Sequence, residues 1–417
     1  MALKRVVVTG LGALTPIGST VQEFRESLFN GVSGAVPITR FDTSLHKTKF
    51  ACELKNFDAG NFFDRKEARK LDPYCQYAII SSDEAIKDSG LDLKKTNKDR
   101  FGVIMSSGIG GMGTFEDEIA AFARGDGTPR FSPFFVPKMI SDIASGQVSI
   151  KHGLRGPNYC TVAACASSTV SLINSFDHIR LGRCDIMIAG GSEAPVTPAG
   201  LGGFNSLHAL STRNDDCKTA SRPFDLDRDG FVMAEGGGAL ILEEYEHAIK
   251  RGAKIYCELV GGGLSADAYH LTAPQPQGLG AALVMANALK DAGLKPEAID
   301  YINVHGTSTP LGDITEPLAI LSVFKEHAYK LSISATKSMH GHMLGAAGAI
   351  EAIACIFAIL DSKIPPTINH FTDDPQIDNR LDFTFNQAKE REVRYALSNT
   401  FGFGGHNATV IFKKMDA

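Results

Sequence analysis

The chain has 417 residues, of which 43% are hydrophobic and 21% charged, with a formal net charge of -5 and a pI near 6.2. That composition is typical of soluble globular proteins with room for more than one core, and it supplies no overall electrostatic reason to bind nucleic acid or an anionic membrane. Eight cysteines with no Cys-x-x-Cys pair argue against a disulfide framework and a tetrahedral zinc site.

In chain order, the first apolar β-branched run is Arg5 to Thr9, in an N-terminus whose three valines are too few for a signal-peptide core. It leads into Gly10 and Gly12, which invite a dinucleotide reading and a remote alternative as a nicotinamide-dependent oxidoreductase. The third glycine is missing, Thr15 stands in its place, and no acidic residue closes a second strand, so a tight turn after a core strand is expected. Further strand-like runs follow at Gly102 to Met105, Cys160 to Ala164, Asp185 to Ala189 and Gly238 to Leu242. Gly-rich loops and helical patterns separate them, the rhythm of an α/β protein.

The second part repeats the pattern at Lys254 to Val260, Tyr301 to Val304, Leu331 to Ala335, Arg394 to Ser398 and Ala408 to Phe412. The runs starting at Cys160 and Leu331 are offset by almost the same length as those starting at Gly238 and Ala408, which predicts a duplicated unit. Amphipathic helices are expected after Cys165 (Val170, Ile173, Phe176, Ile179) and after His342 (Leu344, Ala347, Ile350, Ile353, Phe357, Leu360). The join is placed near Gly261 to Gly263, giving halves 1–260 and 261–417 that pack as one body. The longest helix-like apolar run, Ala352 to Leu360, spans about half of the ~20 residues a membrane helix needs, so a cytoplasmic protein is expected.

Asp225, Asp227, Asp229 and Gly230 begin like a calcium loop, but position twelve is Gly236, so a turn held by Asp side chains is the expectation. His340 and His342 have no third ligand spaced nearby, and no metal is expected. Cys165 lies between an apolar run and a helix start, where unpaired backbone N–H groups favour a thiolate and can hold a thioester oxyanion. Cys160 is read as a core filler. His305 follows YINV and His342 follows LSISA, each in a Gly/Ser/Thr-rich turn at the C-terminal end of a strand, the edge where α/β sheets bind ligands.

The segments VVVTGLGALTPIG, RKEARK, SSGIGGM, VAACASS, GGSEA, ALSTRND, SRPFDLDRDGFVMAEGGG, VHGTSTPLGD, TKSMHGHMLGAAGAIEA, PPTIN and SNTFGFGGHN resemble, in order, the β-ketoacyl-acyl carrier protein synthases, most closely the type II elongating branch. The resemblance implies a thiolase-like duplicated αβαβα sandwich, a homodimer, and decarboxylative Claisen condensation without a cofactor, with acyl carrier protein as partner. It implies Cys165 as the acyl-carrying nucleophile and His305 and His342 as the pair that stabilise the malonyl-derived enolate. Lys337 then supports the second histidine, and Glu351 matches a buried glutamate. Phe401 matches the gate for the acyl chain, with its N–H completing the oxyanion hole. Thr307 and Thr309 match contacts to the pantetheine arm, and Ile109 and Phe204 match the acyl slot. The carrier is acidic, so Arg65, Lys66, Arg69 and Lys70, with Arg124 and Arg130, are the expected docking charges. A polyketide or aryl-polyene ketosynthase would share these catalytic residues. The chain departs from the pattern at Ala166–Ser168, His208 and His406, which bears on chain length and carrier binding rather than on the reaction.

Overall fold

The computed structural model describes residues 3–416. Nine strands join in one sheet: β1 Val6–Leu14, β2 Phe101–Ser106, β3 Ile186–Glu193, β4 Gly236–Glu244, β5 Cys257–Ala266, β6 Tyr301–Asn303, β7 Ser332–Ser334, β8 Tyr395–Gly402 and β9 His406–Lys413. Their order is β2-β3-β4-β1-β5-β9-β8-β6-β7. The two halves mirror each other about the β1–β5 contact. In each half the first strand lies innermost, the last strand lies antiparallel beside it, and parallel strands extend outward. β1 and β5 themselves pair antiparallel only over Val6–Val8 and Cys257–Leu259. The join expected at Gly261 to Gly263 falls inside β5, which pairs along its length with β9.

Five helices complete the layers: α1 Pro73–Asp88, α2 Ser167–Arg180, α3 Leu279–Ala292, α4 Gly312–Phe324 and α5 Ala347–Asp361. α1 covers β1 and β4 on one outside, and α3 covers β5 and β9 on the other. α2 and α5 lie against each other and against both halves of the sheet, forming the middle of the αβαβα sandwich that the resemblance implied. Leu344–Asp361 is 18 residues long with a mean hydropathy of 1.9, longer than the apolar run expected there, and 89% of it is buried. A helix apolar on every side belongs in such a central layer.

Gly10 and Gly12 are not a phosphate turn, because β1 runs straight through them. A Cβ on Gly10 would stand 2.3 Å from the Ala85 carbonyl oxygen and one on Gly12 1.9 Å from that of Ser81. The glycines let α1 lie directly on the strand, which removes the sequence basis for a nicotinamide site. Asp225 accepts from the N–H groups of Phe371, Thr372 and Asp227 at 2.6, 2.8 and 2.9 Å, the Asp-held turn that was expected. The run Cys160 to Ala164 forms no ladder: only the bridges Val103↔Asn158 and Ala163↔Cys165 occur near it. Its backbone bends away to present Cys165, and Cys160 is half-buried rather than a core residue.

Candidate active site

Cys165 precedes α2 by two residues and follows Ala164, whose φ of 48° is in the left-handed region that a β-carbon disfavours. The bend turns the thiol into a cleft of about 360 Å³ that His305, His342, Thr307, Thr309, Phe204, Phe401 and Phe403 also line. The β8–β9 hairpin closes over it. A Cβ on Gly402 would stand 2.7 Å from the Ala163 carbonyl oxygen and 3.1 Å from the Cys165 nitrogen, so only glycine lets the hairpin approach this closely.

Two expectations for this end of the site change. The backbone N–H turned to the Cys165 sulfur beside its own is that of Phe403, not Phe401. The Phe401 ring instead stands 5.6 Å from that of His305, while the Phe403 ring is 6.3 Å from Phe204. The reason is where the ladder ends: Phe401 still pairs in it, opposite Asn407, whereas Phe403 is in the turn at the hairpin tip. Burial also pushes the Cys165 thiol up to about 12, with Lys337 opposing and Glu193 adding to the rise. The helix start that was expected to favour a thiolate lies two residues on, and desolvation outweighs it.

The two imidazoles meet at 5.3 Å with their planes at 85°. Lys337, buried at 1% exposure, donates from Nζ to the His305 carbonyl at 2.7 Å and approaches its Nδ1 at 3.3 Å. An ammonium only donates, so Nδ1 accepts and Nε2 carries the His305 proton. The lysine therefore holds the first histidine, not the second as the resemblance implied. Its third partner is the fully buried Glu351, whose carboxyl burial raises to about 7 against the pull of Lys337. Burial first, and then the Lys337 charge, hold both His305 and His342 well below 6.5, so both rings are neutral N–H donors at physiological pH.

Thr307 and Thr309 face each other at 3.0 Å between their hydroxyl oxygens on the cleft wall. Phe204 joins an apolar wall around Cys165 with Val196, Leu201, Phe231, Met233 and Leu344. Ile109 does not line this cleft: it is 37% exposed, and its N–H donates to Glu193. His208 is on the cleft wall, and His406 is exposed beside Gly404. Lys66, Arg69 and Lys70 are exposed with no carboxylate partner among the described residues, and Arg130 stands 3.8 Å from Asp126.

Sequence reasoning missed two buried carboxylates that shape the turns. Glu316 accepts from the N–H groups of His305 and Gly306 at 3.0 Å each, and burial raises it to about 7. Glu193 accepts from Ser107 Oγ at 2.6 Å and from the N–H groups of Gly108 and Gly345 at 2.7 and 2.9 Å, tying a first-half loop to the turn after His342. An acid inside an apolar strand run was the available signal for Glu193.

Comparison with known proteins agrees with this architecture. Residues 3–248 match the N-terminal domain of β-ketoacyl synthases and residues 256–371 their C-terminal domain. The chain is 52% identical over 411 residues to a Synechocystis protein named 3-oxoacyl-[acyl-carrier-protein] synthase 2, covering 99% of this chain and 98% of that one. A protein of the same name from Staphylococcus aureus is 51% identical over 415 residues, with 99% of each covered. Among solved structures, a β-ketoacyl synthase from Burkholderia phymatum superposes with a TM-score of 0.92 at 34% identity, over 99% of this chain and all of that one. A ketosynthase of a type II polyketide system, solved in complex with its acyl carrier protein, gives 0.91 at 36%, again over 99% and 100%. With both domains matched in order and half the residues identical end to end, the chain belongs to the β-ketoacyl synthase family.

Proposed function

We propose that this protein extends an acyl chain by two carbons in fatty acid synthesis, condensing it with malonyl-acyl carrier protein. The carrying observation is the meeting of two neutral imidazoles in the cleft that also holds Cys165. In the first half-reaction the Cys165 sulfur attacks the thioester of an acyl carrier, and the oxyanion faces the N–H groups of Cys165 and Phe403. The carrier's pantetheine sulfur leaves and takes up the thiol proton.

In the second half-reaction the malonyl C–CO2 bond breaks and its electron pair moves onto the thioester oxygen, where N–H donors from His305 and His342 stabilise the enolate. The enolate carbon then attacks the Cys165 thioester, forming the new carbon–carbon bond. Cys165 leaves as a thiolate and regains a proton from solvent. No net oxidation or reduction occurs, so a nicotinamide has nothing to carry. Thr307 and Thr309 are placed to contact the pantetheine arm, and Phe204 to bound the acyl slot. The type II polyketide ketosynthase among the structural relatives stands at 36% identity, below the 51–52% of the 3-oxoacyl synthases, which favours the fatty acid reading. Mixing the protein with acyl and malonyl carriers is expected to release carbon dioxide and give a 3-oxoacyl carrier two carbons longer, read by mass. Acyl transfer with no carbon dioxide would overturn the proposal.

The acidic carrier is expected to dock on Lys66, Arg69 and Lys70, with Arg130 nearby in sequence to an exposed aromatic segment. Reversing the three to glutamate should raise KM for malonyl-acyl carrier protein about 10- to 100-fold and weaken its salt dependence, with kcat little altered. A KM within twofold of the parent would remove them from the docking surface. A homodimer would cover the exposed Phe115, Phe122, Phe131, Phe134, Val136 and Ile140, which supports that reading. All eight cysteines are free, which suits the reducing cytoplasm.

A further inference from the structure

His342 lacks the restraint that His305 has. Its Nδ1 is buried with no hydrogen-bond partner among the described residues, and its ring meets those of Phe231 at 5.1 Å and His305 at 5.3 Å. A ring without a hydrogen bond to orient it must be aimed by its backbone. The peptide between Gly341 and His342 is pinned at both polar ends. The His342 N–H donates to the Val232 carbonyl at 2.8 Å, and the Gly341 carbonyl receives Nδ1 of His340, also at 2.8 Å. Gly341 itself has φ 72°, and a Cβ there would stand 2.8 Å from the Cys52 sulfur, so only glycine fits this turn.

His340 is fully buried, with no exposed surface. A carbonyl only accepts, so the proton of its neutral ring is on Nδ1, and Nε2 accepts from Thr336 Oγ1 at 3.1 Å. Thr336 Oγ1 in turn accepts from Asn303 Nδ2 at 3.3 Å, at the end of β6. Burial, with the Lys337 charge second, lowers the ring to about 3, so it stays neutral and keeps this one arrangement of donor and acceptor.

We propose that His340 is a positioning residue that aims His342 at the malonyl thioester, by holding the Gly341 carbonyl from Nδ1 and anchoring itself on Thr336 from Nε2. The inference rests on the role given to His342 above. It makes the histidine of the KSMHGH turn part of the decarboxylation apparatus without touching substrate.

Three full-length variants test it, because their side chains separate geometry from volume. In H340N the amide nitrogen takes the place of Nδ1 and can donate to Gly341. In H340Q the amide reaches instead to the place of Nε2, and H340A supplies neither. Carbon dioxide release from malonyl-acyl carrier protein should fall about 10- to 100-fold in H340A and H340Q, and stay within about threefold of the parent in H340N. Acylation of Cys165 by an acyl carrier, which bypasses His342, should change less than about twofold in all three. Melting temperature, recorded alongside, is expected to follow retained volume, with Gln above Asn above Ala. If carbon dioxide release follows that same volume order, His340 only fills the core and the inference is overturned. If His342→Ala releases carbon dioxide at the parent rate, the role of His342 falls and this inference with it. Loss in His342→Ala with retention in every His340 variant overturns this inference alone.

Discussion

Cys165→Ala is expected to reduce condensation by at least about 10⁴-fold, to background, because the sulfur forms a bond in the reaction and no neighbouring group replaces it. The backbone N–H groups, the imidazole pair and the Lys337–Glu351 pair all remain, so the variant should still release carbon dioxide from malonyl-acyl carrier protein. Mass spectrometry of the protein after incubation with an acyl carrier, beside a carbon dioxide assay, separates the two. Labelling of the half-buried Cys160 in the variant would reassign the nucleophile. The raised thiol adds a pH signature. With Cys165 pushed up to about 12, its alkylation rate in the free enzyme should keep climbing from neutral pH through about pH 10. A plateau near neutrality would instead mean that the start of α2 stabilises the thiolate after all.

Lys337→Met should combine a loss of stability with a loss of decarboxylation. Glu351 has no exposed surface, and apart from Lys337 only Thr400 Oγ1, at 3.5 Å, reaches its carboxylate among the described residues. Breaking such a pair from one side costs about 3–5 kcal/mol, whereas removing both charges in Lys337→Met/Glu351→Leu should recover most of it. The cost depends on pH with a definite sign. The Glu351 carboxyl is already raised to about 7 from 4.5, and loss of the ammonium raises it further. A folded value above the unfolded one is stabilising below pH 4.5 and is lost as pH rises, so the single variant should be nearest the parent in acid and weakest above about pH 7. The rate should fall about 10²–10³-fold, since the ammonium fixes which His305 nitrogen carries the proton. The acid limb of carbon dioxide release, well below pH 6.5 in the parent, should move upward, because Lys337 is the second cause after burial that holds His305 neutral. Denaturant titrations at several pH values and a pH–rate profile measure both effects. A variant with parental stability at pH 8 would remove the electrostatic role of this pair.

The duplicated α/β plan is legible in the string of residues alone, and so are the three side chains to which the proposed reaction is assigned. Strand-like runs recur in both halves with matching offsets, and His305 and His342 each follow such a run in a small-residue turn, where a backbone can expose a side chain to a cleft; Cys165 follows a run that bends away instead of pairing in the sheet. Such signals are local and survive without knowledge of packing. Which groups meet depends on packing between segments far apart in the chain. Lys337 reaches His305 rather than His342, and the hairpin of β8 and β9 brings Phe403 rather than Phe401 to the thiol. Glu193 joins Ser107 to Gly345, residues far apart in the chain. The protonation of Cys165 differs from the sequence expectation for the same reason. A helix start can be seen in a string of residues, but desolvation depends on what both halves of the chain bury around the sulfur, and here burial is the larger effect.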